Sequence, residues 1–104
     1  MNKIIAVDFD GTLCENKWPG IGEPRMDVIR YCKDEQKKGA KLILWTCRQG
    51  KELLDALYWC NVGLDLAFDA VNENLPEIIE EFGHDTRKIF AHEYIDDRAV
   101  LFSD

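Results

Sequence analysis

Two aspartates, two residues apart, close an apolar run. Ile4-Ile5-Ala6-Val7 leads into Asp8, and Asp10 follows after Phe9. On a strand, residues i and i+2 point to the same side. The carboxylates of Asp8 and Asp10 would therefore converge if strand geometry continued, although Gly11 signals a turn there. Crowded carboxylates repel, and the common remedies are a shared proton or a cation. A hard cation such as Mg²⁺ takes one or two carboxylates together with water and phosphate oxygens. A second apolar run, Lys41 to Trp45, ends in Thr46-Cys47-Arg48. A hydroxyl donor and a planar guanidinium both suit a phosphate. A third run, Ile89 to Ile95, opens after Lys88 and ends in Asp96-Asp97-Arg98.

These groups need elements to carry them. An unbroken apolar run reads as a strand buried on both faces, the kind found in parallel α/β sheets. Such sheets bind ligands at the carboxyl ends of their strands, where Asp8, Thr46 and Asp96 would fall. Residues 3–8 form the first predicted strand, and residues 14–24, with Gly20, Gly22 and two prolines, form a loop. Residues 25–38 suit an amphipathic helix through Met26, Ile29 and Cys32, stopped by Gly39. A strand over 41–46 and a helix over about 50–61 follow, with Leu53, Leu54, Leu57 and Tyr58 on one face. A weaker strand spans 66–71, a helix opened by Pro76 spans 76–82, and a strand spans 88–95. A short final strand is predicted over 99–102. The pattern is βαβαβαβ, and right-handed crossovers set the first three strands side by side.

The whole set of strand ends resembles the haloacid dehalogenase-like superfamily, most of whose members are Mg²⁺-dependent phosphatases. Asp8-Phe9-Asp10-Gly11-Thr12-Leu13 resembles its first motif, Thr46 its second, Lys88 its third, and Asp96-Asp97 its fourth. The likeness runs from residue 4 to residue 97. Lys88 departs from many members, which carry the lysine well upstream of the paired aspartates at a helix start; Arg87 is an adjacent cation that could share the role. The resemblance implies a doubly wound parallel sheet, a Rossmann-like core, in the order 3-2-1-4, as one domain over 1–104. It also implies that no cap domain is inserted, because residues 14–24 and 49–87 leave no room for one.

What the resemblance implies for chemistry is specific. Asp8 would be the nucleophile that forms an aspartyl-phosphate, and Asp10 the general acid and then base. Mg²⁺ would sit on Asp8, the backbone carbonyl of Asp10 and Asp96, with Asp97 behind them. Thr46 would hold phosphoryl oxygens and Lys88 would neutralise charge. Arg48 would reach the substrate's leaving group, the favoured reading, or else pair with a surface carboxylate. Asn72 and Asn74 would line the pocket or cap the next helix. Trp18, Pro19 and Ile21 of the 14–24 loop would form a miniature lid, or else Trp18 packs on the domain edge. His84 and His92 receive no role.

Bulk properties narrow the partners. A net charge of −7 argues against free nucleic acid. The chain has no apolar run long enough for a membrane span and no signal-like start, so a cytoplasmic protein is expected. Its four cysteines form no CxxC pair and read as reduced, small buried side chains. The expected partner is a phosphorylated substrate, either small or displayed on a larger molecule, and a homo-oligomer could close the site. Three other readings stand beside the phosphatase: a phosphomutase, a catalytically idle binding module on the same fold, and a signalling receiver domain. The last would need its phosphorylated aspartate at the third strand, where Asp69 lies inside the strand.

Overall fold

A computed structural model describes residues 2–100. Strand β1 (Ile4–Val7) is buried along its whole length. Alternation splits its side chains between two cores: Ile5 and Val7 join one, Ile4 and Ala6 the other. Strand β2 (Lys41–Leu44) divides the same way, with Leu42 and Leu44 on the first face and Ile43 on the second. Helix α1 (Met26–Lys37) brings Ile29 and Cys32 to the first face. Helix α2 (Gly50–Tyr58) brings Ala56 to the same face, and the π-helical turn that follows it (Trp59–Gly63) brings Cys60. Helix α3 (Pro76–Phe82) covers the second face with Ile78, helped by Leu75 and Ile89.

The sheet is completed by β3 (Ala70–Val71) and β4 (Glu93–Ile95). The order is β3-β2-β1-β4, all parallel, with Val7 level with Leu44 and with Ile95. This is the expected order 3-2-1-4 in an α/β fold with helices on both sheet faces. Among the described residues, no separate cap interrupts it. The ladder continues past the strands: the Asp8 amide donates to the Ile95 carbonyl and the Trp45 amide to the Val7 carbonyl, both at 2.9 Å. Asp8, Trp45 and Asp96 thus leave the sheet at one level.

Several elements differ from their predicted form. Leu54 and Tyr58 are 67% and 69% exposed, so the core-facing side of α2 keeps Leu53 and Leu57 of the predicted face and adds Ala56, continued by Cys60. The third strand shrinks to two residues, because the Asp69 carboxylate and amide are both taken by Leu42 of β2 (2.9 and 2.8 Å). The fourth strand starts at Glu93 rather than residue 88. The Tyr94 hydroxyl folds back to donate to the Ile89 carbonyl (2.5 Å) and to accept from the Ala91 amide (3.2 Å), which diverts residues 89–91 from the ladder. The predicted final strand over 99–102 lies partly outside the described residues, and Ala99 and Val100 are not in a strand. No helix among the described residues is long and apolar enough to cross a membrane.

Candidate active site

At the carboxyl ends of β2, β1 and β4 lies a cleft of about 460 Å³. Asp8, Asp10, Thr46, Asp96 and Asp97 all line it. These are five of the residues singled out from the sequence, drawn from segments nearly ninety positions apart in the chain. The sheet register brings them together, since each follows a strand of the same level.

Asp8, Asp96 and Asp97 each present a carboxylate oxygen within 4.8 Å of the others. Burial pushes the Asp8 carboxyl up to about 6, and the charges of Asp96, Asp97 and Asp10 push the same way, against a bond from the Phe9 amide. Three hard oxygen donors around uncompensated negative charge fit a hard divalent cation such as Mg²⁺. Asp97 belongs to this set as closely as Asp96 does, whereas the sequence reading put it behind the direct ligands. The carboxylate of Asp10 is not in the set. The turn after Asp10 is held open to Asp97 by Gly11. Its φ is +81°, and a Cβ there would collide with the Asp97 carboxylate.

Thr46 faces the cleft and is half-buried. Its hydroxyl oxygen accepts from the Arg48 amide (3.1 Å), which leaves the hydroxyl proton to donate elsewhere. Its own amide donates to Asn72 Oδ1 at 2.8 Å. Asn72 adopts a left-handed backbone, φ 55°, which asparagine tolerates better than most residues. It lines the cleft and braces the Thr46 loop, so of the two asparagines Asn72 is the one at the site. Asn74 is fully buried elsewhere. It bonds Asp85, Thr86 and the Phe90 amide, tying the start of α3 to the segment before β4.

Two expected cations do not face the cleft. Lys88 is exposed, with its ammonium 5.8 Å from the centre of the Tyr94 ring. The reason is position along the sheet: His92 already donates its amide to Ile4 at the amino end of β1, and Lys88 precedes it. Arg48 is only 2% exposed, and its fork grips Asp10 through two bonds of 2.8 Å. It therefore neither faces a substrate nor pairs at the surface, but is buried against a carboxylate of the cleft itself. The cation that does line the cleft is Arg98, whose amide bonds Asp96 Oδ1 (2.9 Å). In the sequence Arg98 follows the paired aspartates with no role assigned to it; its place at a strand end is the signal that marks it. Asn16 and Trp45 also line the cleft and were missed. Trp45 was legible in principle, as the residue after β2 at the level of Asp8.

The remaining expectations resolve simply. Trp18 does not line the cleft; its ring lies over Arg48, 5.0 Å from the guanidinium carbon, and stays 56% exposed. His92 accepts from the Ile4 amide through Nδ1 (2.9 Å) and has a structural place in the β1–β4 edge. Cys14, Cys32 and Cys60 are buried, and burial pushes Cys32 up to about 11 and Cys60 to about 12, so these thiols are poor nucleophiles. Cys47 is exposed and borders the cleft. Asp69, engaged with Leu42, is away from the strand ends that a receiver domain would use.

No family model and no curated protein matches the chain. It is similar to a solved structure of a conserved protein from Bacteroides thetaiotaomicron, with 41% identity and a TM-score of 0.83. The likeness covers 96% of this chain and 79% of that one. The chain therefore belongs to the same family as this conserved Bacteroides protein.

Proposed function

We propose that this protein is a Mg²⁺-dependent phosphohydrolase of the haloacid dehalogenase-like kind, with Asp8 as its nucleophile. The observation that carries the reading is the convergence of Asp8, Asp10, Thr46, Asp96 and Asp97 on one cleft at the carboxyl ends of three adjacent strands. An Asp8 oxygen would attack phosphorus in line, and the bond from phosphorus to the leaving oxygen would break. Asp10 would give its proton to that oxygen. Water would then attack the aspartyl-phosphate while Asp10 takes its proton, releasing phosphate and restoring Asp8. Thr46 would donate to a phosphoryl oxygen. Arg98 would supply the positive charge expected of Lys88. Asp8, Asp96 and Asp97 would hold Mg²⁺, which when bound neutralises charge on the phosphoryl group.

The test is phosphate release from a broad panel of phosphate monoesters with Mg²⁺ present. Asp8→Asn should lower turnover by at least about a thousandfold without loss of fold, since an amide is a far poorer nucleophile at phosphorus. More than about a tenth of wild-type activity in that variant would overturn the assignment. A second reading, an idle phosphate-binding module on the same fold, draws on Lys88 lying outside the cleft. It predicts binding of phosphate esters with no release from any of them. A phosphomutase would instead return the phosphoryl group to a second hydroxyl, and would show isomerised product in the same panel.

A further inference from the structure

A buried arginine is costly unless every donor is satisfied. Arg48 meets that condition. Nε and Nη2 bond the two Asp10 oxygens at 2.8 Å each, and Nη2 also bonds the Gly20 carbonyl at 2.6 Å. Nη1 bonds the carbonyls of Pro19 and Glu52, both at 3.3 Å. That uses all five N–H groups of the fork. The guanidinium also lies against two rings, 4.9 Å from the Phe9 ring centre and 5.0 Å from that of Trp18. Its partners come from three places: the turn after β1, the tip of the 14–24 loop, and the first turn of α2. The base of that loop is closed separately, by the Glu15 amide on the Glu23 carbonyl and the Arg25 amide on the Leu13 carbonyl, both 2.8 Å. The tip, in contrast, is held by Arg48.

We propose that Arg48 is a positioning residue that latches the tip of the 14–24 loop and the Asp10 carboxylate into one unit, so that Asp10 faces the cleft in a fixed direction only while the loop is seated. Asp10 keeps 21% of its side chain exposed, toward the cleft, and Asn16 of the same loop borders the cleft beside it. To act as an acid, Asp10 takes up a solvent proton on one oxygen, which gives up its tooth of the fork and turns to the leaving group. The three carbonyl bonds hold Arg48 in place meanwhile. The catalytic half of this proposal rests on the phosphohydrolase reading; the latch itself does not.

Limited trypsin digestion reads the latch. Lys17 is exposed on the loop, and cleavage after it requires the segment to leave its seat. Arg48→Lys keeps the charge but loses the fork, and should speed cleavage after Lys17 by about tenfold or more while the folded state persists. Asp10→Asn should speed it in the same direction. Unchanged cleavage in both would overturn the latch. The catalytic half is read from two classes of substrate. Aryl phosphates depart without much help from an acid, whereas alkyl phosphates need the proton. Arg48→Lys should lower kcat for alkyl phosphates by about 10–100-fold, with a smaller loss on aryl phosphates and little change in KM. In an Asp10→Asn background, Arg48→Lys should add no further loss. Equal losses on both substrate classes, or additive losses in the double variant, would overturn it. If Arg48→Lys does not fold, Trp18→Ala removes one of the two rings from an exposed position and should give the same bias, more weakly. A wild-type protein that releases no phosphate from any ester refutes the phosphohydrolase reading and the catalytic half together; the latch then stands or falls on the digestion alone.

Discussion

Asp8 shows how a single residue acquires a special environment from its surroundings. It is an ordinary carboxylate in sequence, but the strand carries it out of the core and the register sets Asp96 and Asp97 beside it. Negative charge is concentrated there, since the three carboxylates face each other. A divalent ion that binds the folded state alone stabilises it by mass action, by about 2.7 kcal/mol at a hundred times its dissociation constant. Millimolar Mg²⁺ should therefore raise the melting temperature by several degrees. Asp96→Ala should abolish most of that rise and, by relieving repulsion, leave the metal-free protein no less stable. A melting temperature indifferent to Mg²⁺ and Ca²⁺ would count against a cation site at these three carboxylates.

At the scale of elements, a polar network holds the amino end of the sheet while the cleft occupies the other end. Lys3, just before β1, bonds Glu35 of α1 at 2.5 Å and Glu93 of β4 at 2.8 Å, and the Tyr31 hydroxyl donates to Glu93 at 2.6 Å. The Lys3 ammonium, through its hydrogen bonds, holds the Glu35 and Glu93 carboxyls below the usual range, with Tyr31 adding to the effect on Glu93. Both glutamates hold the Lys3 ammonium well above its ordinary value. A carboxylate with a lowered folded value contributes stability above its unfolded value, and the contribution is lost as pH falls through the folded one. The raised lysine contributes below its unfolded value and loses that only in strong alkali. The network is thus complete from mildly acidic to mildly alkaline pH. Lys3→Met should lower the melting temperature at pH 7 by a few degrees and flatten its fall toward acid. An unchanged acid limb, measured by thermal denaturation from pH 7 to pH 3, would show that the network carries no such linkage.

For the molecule as a whole, the cleft is made by one chain. Asp8, Thr46, Asn72, Asp96 and Arg98 all come from the same sheet edge, and the 14–24 loop borders it through Asn16. No cap lies over it among the described residues, and Trp18 points its ring at Arg48 instead of across the opening. The small lid weighed from the sequence therefore does not consist of Trp18. An oligomer remains the other way to close the site, although the carboxylates the proposed reaction uses all come from one chain. Activity per chain should stay constant when the protein is diluted from micromolar to nanomolar concentration. A fall through a concentration range that matches subunit dissociation would show that a neighbouring copy completes the site.

The chain announces its sheet and its acidic residues plainly. Apolar runs entering Asp8, Thr46 and Asp96 are local signals: alternation buries a strand on both faces, and the polar residue that ends the run must leave the core. Helix bounds were legible for the same reason, from Ile29 and Cys32 on α1 and Pro76 on α3. What the sequence could not supply was the direction of long side chains. Lys88 and Arg48 are each flexible cations near a motif, and type and spacing alone allowed both to reach a phosphate. Only the packed structure takes them away. The diverted segment before β4 leaves Lys88 beside Tyr94, and the returning loop closes Asp10, Pro19 and Gly20 around Arg48. The same holds for Leu54 and Tyr58, whose helical spacing was apolar but which packing leaves exposed while Leu53, Ala56 and Leu57 meet the core. Local pattern determines which residues leave the strands at the cleft. Tertiary contact decides which charges meet there, because a buried ion pair depends on partners far away in the chain.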